Sequence, residues 1–168
     1  MINRLGLNTG APYHLLFYSV AFGGSFYYSF IVSPLVFKKL TREEFSHLQN
    51  KVFPTYFVGQ TLAPIILGLT SPIKTCRKGL GAVLAVSSVA GALNYFVLLP
   101  ICKGIKEERN QLVEQNKDKD DKGEPTQEFT ALSKKFGKYH GISSLLNLIS
   151  IVSLGLYGAA LAKGLSKL

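Results

Sequence analysis

Four long windows without a charged residue constrain this fold more than any other feature of the sequence. They cover residues 13–37, 52–73, 79–102 and 139–162, and all 19 basic and 10 acidic residues lie outside them. A helix of about 20 apolar residues crosses the ~30 Å hydrocarbon core of a bilayer. A soluble helical protein would instead place charges at helical spacing along each segment. The windows therefore predict an all-α membrane protein, an antiparallel four-transmembrane-helix bundle that forms one domain over residues 1–168.

The hydrophilic segments between the windows differ in kind. Thr41 and Glu44 fit a capping box, and Phe45, Leu48 and Val52 fall on one side of a helix. These residues predict a short amphipathic helix between spans one and two, which lies on the membrane surface and runs into span two. Residues 103–138, with nine basic and eight acidic side chains, form a charged linker between spans three and four. Its mixed charge predicts a loop that is disordered at its centre.

The charge pattern also bears on partners and location. The net charge of +9 does not indicate nucleic acid, because the basic residues flank the spans, as membrane anchors do. The first and third loops hold 13 of the 19 basic residues and are predicted to face the cytosol. We expect an endomembrane location, the endoplasmic reticulum first. The ending Ser166-Lys167-Leu168 matches a peroxisomal address and makes the peroxisomal membrane the alternative.

The two cysteines stand at opposite ends of span three. At 1.5 Å per residue, Cys76 and Cys102 are roughly 35–40 Å apart along one helix. A disulfide requires Cα atoms within about 7 Å, so we expect both thiols to be free.

Polar side chains inside the spans are the candidates for function. One stripe on span four, with steps of four, three, three and four residues, consists of Ser143, Asn147, Ser150, Ser153 and Tyr157. Such a stripe favours contact with other helices over contact with lipid. One polar residue per span, Ser29, Gln60, Asn94 and Asn147, is predicted at one depth, roughly 10–13 Å from the loop side. Tyr56 and His140 are predicted nearer the same end of the bundle.

Two interpretations of this polar layer remain open. It could be a set of hydrogen bonds that fixes helix register, or a binding site open to the cytosolic side. The spans contain no Asp, Glu, Lys or Arg, which counts against a proton-coupled pump and against hydrolysis. We therefore expect no enzyme and no cofactor. We also expect no metal, since His47 and His140 alone make too few ligands.

Two motifs indicate a family. The segment at Phe45–Phe57 reads F-x-x-L-Q-x-K-x-F-P-x-Y-F, and the segment at His140–Leu148 reads H-G-x-S-S-L-x-N-L. With an aromatic first helix and an Asn late in the third, this order resembles the eukaryotic transmembrane protein 205-like family. The resemblance covers nearly the whole chain and implies a four-span membrane protein without an established reaction. The resemblance also suggests Phe53, Pro54, Tyr56, His140, Ser144 and Asn147 as positions to mutate. Of these, Tyr56, His140, Ser144 and Asn147 are counted among the candidate binding residues of the polar layer.

The sequence supports two functional hypotheses. The first is a transport-related or small-solute-binding membrane protein that uses the polar layer. The second is a non-catalytic structural or assembly protein whose charged loop recruits a partner. In both, the bilayer is a partner, and a homo-oligomer or a protein partner is left open.

Overall fold

The computed structural model of the chain describes residues 7–73 and 77–166, with the backbone alone at residues 77 and 78. Four long helices account for most of this part of the chain. They are α1 (Ala11–Lys39), α2 (Arg42–Thr70), α3 (residues 77–114) and α4 (Gln127–Leu165). Each is long and apolar enough to cross a membrane, which confirms the prediction of an all-α protein with four membrane-crossing helices.

The four helices run antiparallel and do not pack equally. The loop side of the bundle holds the end of α1, the start of α2, the end of α3 and the start of α4; the other end is called the terminal side. α3 packs closely against both α2 and α4, whereas α1 packs more loosely on the same two helices. A Cβ at Gly91 of α3 would lie 2.9 Å from the carbonyl carbon of Gln60, so only glycine permits this contact. The buried apolar core lies on the terminal side and contains Leu67, Ile73, Leu84, Leu154, Tyr157 and Leu161.

The amphipathic helix predicted between spans one and two runs directly into span two, and the two form one helix. The capping box is confirmed, because the Thr41 hydroxyl accepts from the Glu44 backbone N–H and the Glu44 carboxylate accepts from the Thr41 N–H at 2.9 Å. The helix that begins there continues without a break to Thr70. Pro54 and Pro64 both lie inside it. The physical reason is that no turn residue separates the amphipathic stretch from the apolar one, so a single helix contains both.

The charged linker is also more ordered than the sequence predicts. α3 extends to Glu114 and α4 begins at Gln127, so only twelve of the residues expected in the linker remain outside helices. Ile105 and Leu112, one heptad apart, are buried where α3 packs on α4. The Arg109 guanidinium lies 4.9 Å from the centre of the Phe129 ring, a cation–π contact. Apolar and aromatic side chains within the charged segment therefore pair the two helix extensions.

The remaining loop, residues 115–126, has a defined conformation. The Asp120 carboxylate accepts from the backbone N–H groups of Lys122 at 2.9 Å and Glu124 at 3.0 Å. Gly123 takes a φ of +80°, and Lys119 pairs with Pro125 across the turn. An Asp that bonds backbone two residues on and a glycine at positive φ are turn-forming features, and they replace the predicted disorder.

Three of the sequence predictions fall partly outside the described residues. Cys102 is a free thiol. Cys76, and with it the predicted absence of a Cys76–Cys102 bridge, lies outside the described residues. The last two residues of the C-terminal tripeptide, Lys167 and Leu168, lie outside them as well.

Candidate functional site

A closed ring of hydrogen bonds joins α1, α2 and α4 near the loop side. The Asn147 amide donates through Nδ2 to Ser29 Oγ at 3.0 Å, and the Tyr56 hydroxyl donates to Asn147 Oδ1 at 2.8 Å. The Ser29 and Tyr56 hydroxyl oxygens are 2.8 Å apart. Tyr56 has a single hydroxyl hydrogen and gives it to Asn147, so Ser29 must donate to Tyr56. The three bonds then run in one direction, and each polarises the next.

Gln60 strengthens this ring from α2. Its Nε2 donates to Asn147 Oδ1 at 2.6 Å and to the Tyr56 hydroxyl at 3.1 Å. The side chain is 2 % exposed, and its Oε1 is buried without a partner among the described residues. An unsatisfied buried acceptor costs about 1–3 kcal/mol, so the two bonds of Nε2 must offset that cost. We call Ser29, Tyr56, Gln60 and Asn147 the amide–tyrosine cluster.

A second layer of polar contacts, absent from the sequence prediction, lies beside the cluster on the loop side. The Tyr28 hydroxyl donates to Gln49 Oε1 at 2.7 Å, and Gln49 Nε2 donates to Ser33 Oγ at 3.3 Å. The Tyr28 ring lies 5.0 Å from the Tyr56 ring, centroid to centroid. Gln49 lies in the segment for which the sequence predicts an amphipathic surface helix, so it is not among the predicted site residues. Its spacing from Tyr56, seven residues on a continuous helix, could have revealed it.

A cavity of about 310 Å³ borders the cluster between α1, α2 and α4. Its apolar lining residues are Phe30, Phe53, Phe57 and Leu148. Its polar lining residues are Tyr28, Ser29, Ser33, Tyr56, His140, Ser143, Ser144 and Asn147. None of these described residues is Asp, Glu, Lys or Arg. The volume falls at the lower end of the range for small-molecule sites.

The cavity wall retains hydrogen-bonding capacity. An Asn side chain has two amide hydrogens, and Asn147 uses one of them on Ser29. The other has no partner among the described residues. The cavity can therefore donate a hydrogen bond to a neutral acceptor such as a hydroxyl or a carbonyl oxygen.

The other predicted site residues take different places. Asn94 is fully buried, but its Nδ2 donates to the backbone carbonyl of Ser143 at 3.2 Å, so it links α3 to α4 outside the cluster's hydrogen bonds. His140 stacks on Phe136 at 5.6 Å and is exposed at the cavity edge. The Ser144 hydroxyl donates to the His140 carbonyl at 3.0 Å, along its own helix. Thus His140 and Ser144 line the rim rather than the ring.

Two π turns lie beside the polar residues and were not predicted. They span Tyr28–Val32 in α1 and Asn94–Leu98 in α3. Each closes with a backbone bond from the next residue back over five positions, and each is followed within two residues by a proline, Pro34 or Pro100. Proline lacks the N–H that the α-helical pattern needs, so the preceding turn widens. An aromatic run that ends in proline is the sequence signal for both turns.

A separate polar group lies on the terminal side. His14 Nδ1 is 2.9 Å from Thr70 Oγ1, and His14 Nε2 is 2.7 Å from the Tyr157 hydroxyl. The Tyr157 hydroxyl lies 3.4 Å from Ser71 Oγ. His14 is 4 % exposed and Tyr157 is fully buried. We call His14, Thr70, Ser71 and Tyr157 the histidine cluster; the need to pair a histidine within an uncharged span could have predicted it.

Comparison with known proteins adds the following. The family described as a domain of unknown function, DUF4149, matches residues 16–111, which is more than half of the chain. The xanthocillin biosynthesis cluster protein D of Aspergillus fumigatus is 28% identical over 159 residues, covering 92% of this chain and 90% of that protein. No solved structure matches. The family match includes Ser29, Tyr56 and Gln60 but ends before Asn147.

Proposed function

Since the chain belongs to the DUF4149 family, whose function is unknown, we propose a function from the site: the protein binds a small neutral solute in the cavity beside the amide–tyrosine cluster. Binding within the membrane domain is the first step of transport, and we propose a transport-related role. The chain itself is a multi-pass integral membrane protein by the length and hydropathy of its four helices.

The observation that carries the proposal is the cavity together with the spare amide hydrogen on its wall. The cavity is lined by aromatic and aliphatic side chains together with hydrogen-bonding groups that carry no carboxylate, ammonium or guanidinium. Small-molecule sites combine an apolar lining with a few polar groups that fix orientation. A charged solute would find no described counter-charge in this lining, which favours a neutral one.

The test compares two variants purified from the native membrane. Asn147→Leu removes the donor at the cavity wall, and Thr70→Val removes one hydrogen bond of the histidine cluster as a matched control. Mass spectrometry of molecules extracted from each protein should find one neutral compound in the wild type and in Thr70→Val. The same compound should be reduced at least about tenfold in Asn147→Leu, the loss expected for one hydrogen bond to a buried group.

Thermal melting separates this outcome from misfolding. If Asn147→Leu loses the compound and still unfolds in a single cooperative transition, lower than the control only by the effect of its additional lost hydrogen bonds, the cluster is a site. If all three proteins carry the same compounds, or carry none, and Asn147→Leu only melts earlier, the cluster is a structural layer and the proposal fails.

A second function rests on the loop at residues 115–126. The loop is exposed and held in one conformation by the Asp120 carboxylate, which suits recruitment of a protein partner. In this alternative the protein is a structural or assembly factor and not an enzyme. Asp120→Ala, which frees the backbone of the loop, should then abolish recruitment of the protein partner. Asn147→Leu should leave that recruitment intact.

The finer assignments are proposals of the same kind. The motifs at Phe45–Phe57 and His140–Leu148 support membership of the transmembrane protein 205-like group. The relative from Aspergillus fumigatus is named for a biosynthesis cluster, which suits a membrane protein that handles a small molecule. We propose the endoplasmic reticulum as location, with the peroxisomal membrane as alternative, and the bilayer together with a second copy or another protein as partners. Neither a cofactor nor nucleic acid enters this proposal.

A further inference from the structure

α1 and α4 are in contact at the terminal side and separate toward the loop side. At the terminal side, a Cβ added to Gly155 would lie 3.5 Å from the Phe22 ring. Gly158 lies against the Tyr18 hydroxyl. His14 bonds Tyr157 in the same region. The close packing of α1 on α4 involves the part of α1 up to Tyr27. Glycines therefore hold the two helices together at one end only.

Beyond the π turn of α1, a cleft lies between the two helices. His140, Ser144 and Leu148 are spaced by four residues on α4, line the cavity and are exposed. They form a stripe of about 12 Å along the helix axis. Phe30, 45 % exposed, lines the cavity from α1. Asn147 Nδ2, bonded to Ser29, crosses the cleft at its inner wall.

The exposed stripe lies along the side of a membrane-crossing helix. Leu148 is nine residues into the window that starts at residue 139, and its side chain is 43 % exposed. At this depth an exposed side chain of a membrane helix contacts hydrocarbon rather than water. The cavity is therefore open toward the bilayer over a length of helix, and not only at the cytosolic end.

From this geometry we infer that the cavity takes its ligand sideways from the bilayer, between α1 and α4, and that the ligand is a neutral single-chain amphiphile. This inference rests on the proposed function. The hydroxyl or carbonyl head of the ligand accepts the spare amide hydrogen of Asn147. Its apolar part lies along Phe30 and Leu148 and extends into the lipid, which explains why a cavity of 310 Å³ needs no closed outer wall.

The experiment uses the absence of tryptophan from the sequence. Phe30→Trp places one emitting side chain on the cavity wall, and Tyr27→Trp places one on the lipid-facing side of α1, 60 % exposed. Each protein is reconstituted in bilayer nanodiscs with increasing 11-bromoundecan-1-ol, a neutral amphiphile whose bromine quenches tryptophan. Quenching should saturate for Phe30→Trp and rise without saturation for Tyr27→Trp, where only lipid collisions occur.

A blocking variant then tests the route. Ser144→Phe in the Phe30→Trp background fills the rim of the cleft, and Leu145→Phe, on the adjacent lipid-facing position, is the matched control. Ser144→Phe should slow the rate at which quenching approaches saturation, after the bromo-alcohol is added, at least about tenfold. Leu145→Phe should leave it unchanged. Should Ser144→Phe fail to fold, the smaller Ser144→Leu serves in its place.

The outcomes separate the two proposals. Quenching that saturates as fast in the Ser144 variants as in their parent protein, but disappears in Asn147→Leu, overturns sideways access and leaves the binding site standing. Quenching without saturation in both tryptophan proteins contradicts the inference that the ligand is a neutral single-chain amphiphile. If the neutral compound of the mass-spectrometry test is then also absent, the proposed function fails with it.

Discussion

The two polar clusters are built from similar groups, yet they differ in their surroundings. Each joins α1, α2 and α4 through a tyrosine hydroxyl, Tyr56 on the loop side and Tyr157 on the terminal side. Tyr157 is fully buried in the apolar core. Tyr56 borders a cavity. Similar hydrogen-bonding chemistry therefore occurs once in a tightly packed place and once beside open space.

Backbone geometry explains the difference. On the terminal side, Gly155 and Gly158 let α4 approach the aromatic side chains of α1. On the loop side, the π turn at Tyr28–Val32 widens α1, and Pro34 follows it. Buried polar residues in a membrane helix are thus not a sufficient sign of a binding site. Spare volume beside it distinguishes the amide–tyrosine cluster from the histidine cluster.

The largest effect should come from adding bulk at the packed end. In Gly158→Leu the new side chain occupies the position of the Tyr18 hydroxyl and forces α1 away from α4. We expect a loss of about 3 kcal/mol in the free energy of unfolding, as for severe overpacking. The matched control is Gly141→Leu on the same helix, where a Cβ meets none of the described atoms within 4 Å. Equilibrium unfolding in mixed detergent micelles measures both.

Equal destabilisation by the two leucines would contradict this comparison. It would mean that α1 and α4 pack as closely near Gly141 as near Gly158, and the open cleft would not exist in the membrane.

The next effect concerns the hydrogen bonds themselves. Asn147→Leu removes three side-chain bonds and should lower the free energy of unfolding by about 2 kcal/mol at roughly 0.6 kcal/mol per bond. His14→Leu removes two and should cost about 1 kcal/mol. Only Asn147→Leu should also abolish the stabilisation of the wild type by added 11-bromoundecan-1-ol in a thermal melt.

If added 11-bromoundecan-1-ol also fails to stabilise His14→Leu in the thermal melt, the contrast between the two clusters is contradicted. The two clusters would then act as one coupled unit along α4, with the Ser87–Ser150 hydroxyl pair, 2.8 Å apart, lying between them.

The sequence predicts the fold well because its strongest signals are local. Four uncharged windows correspond to four helices, and the capping box at Thr41 and Glu44 marks the start of α2. It predicts the extent of the helices poorly. Ile105 and Leu112 stabilise α3 through contacts with α4, and such pairing depends on a partner that lies distant in the chain.

The candidate site was predictable in part because the depth of a residue along a helix is also a local signal. Counting residues from the loop side placed Ser29, Gln60 and Asn147 at one depth, and the structure joins them. The count also included Asn94, which bonds the Ser143 carbonyl instead. Depth along a helix follows from sequence, but the direction of a side chain within a π turn, such as Asn94 at the start of Asn94–Leu98, does not. The cavity depends on the angle between α1 and α4, which no local pattern records.

The smallest effect tests the histidine cluster alone. Thr70 donates its hydroxyl hydrogen to the Ile66 carbonyl at 2.7 Å, so its oxygen is free to accept from His14 Nδ1. His14 therefore carries its hydrogen on Nδ1 and accepts at Nε2 from Tyr157, whose single hydroxyl hydrogen goes to the nearer acceptor, His14 Nε2 at 2.7 Å, rather than to Ser71 Oγ at 3.4 Å. Thr70→Val should cost only about 0.6 kcal/mol in unfolding free energy. It should also shift the His14 tautomer toward Nε2–H, which ¹⁵N NMR of histidine-labelled protein measures, with the two other histidines as internal references. A wild-type His14 already protonated on Nε2 would reverse the bond to Tyr157 and contradict this assignment.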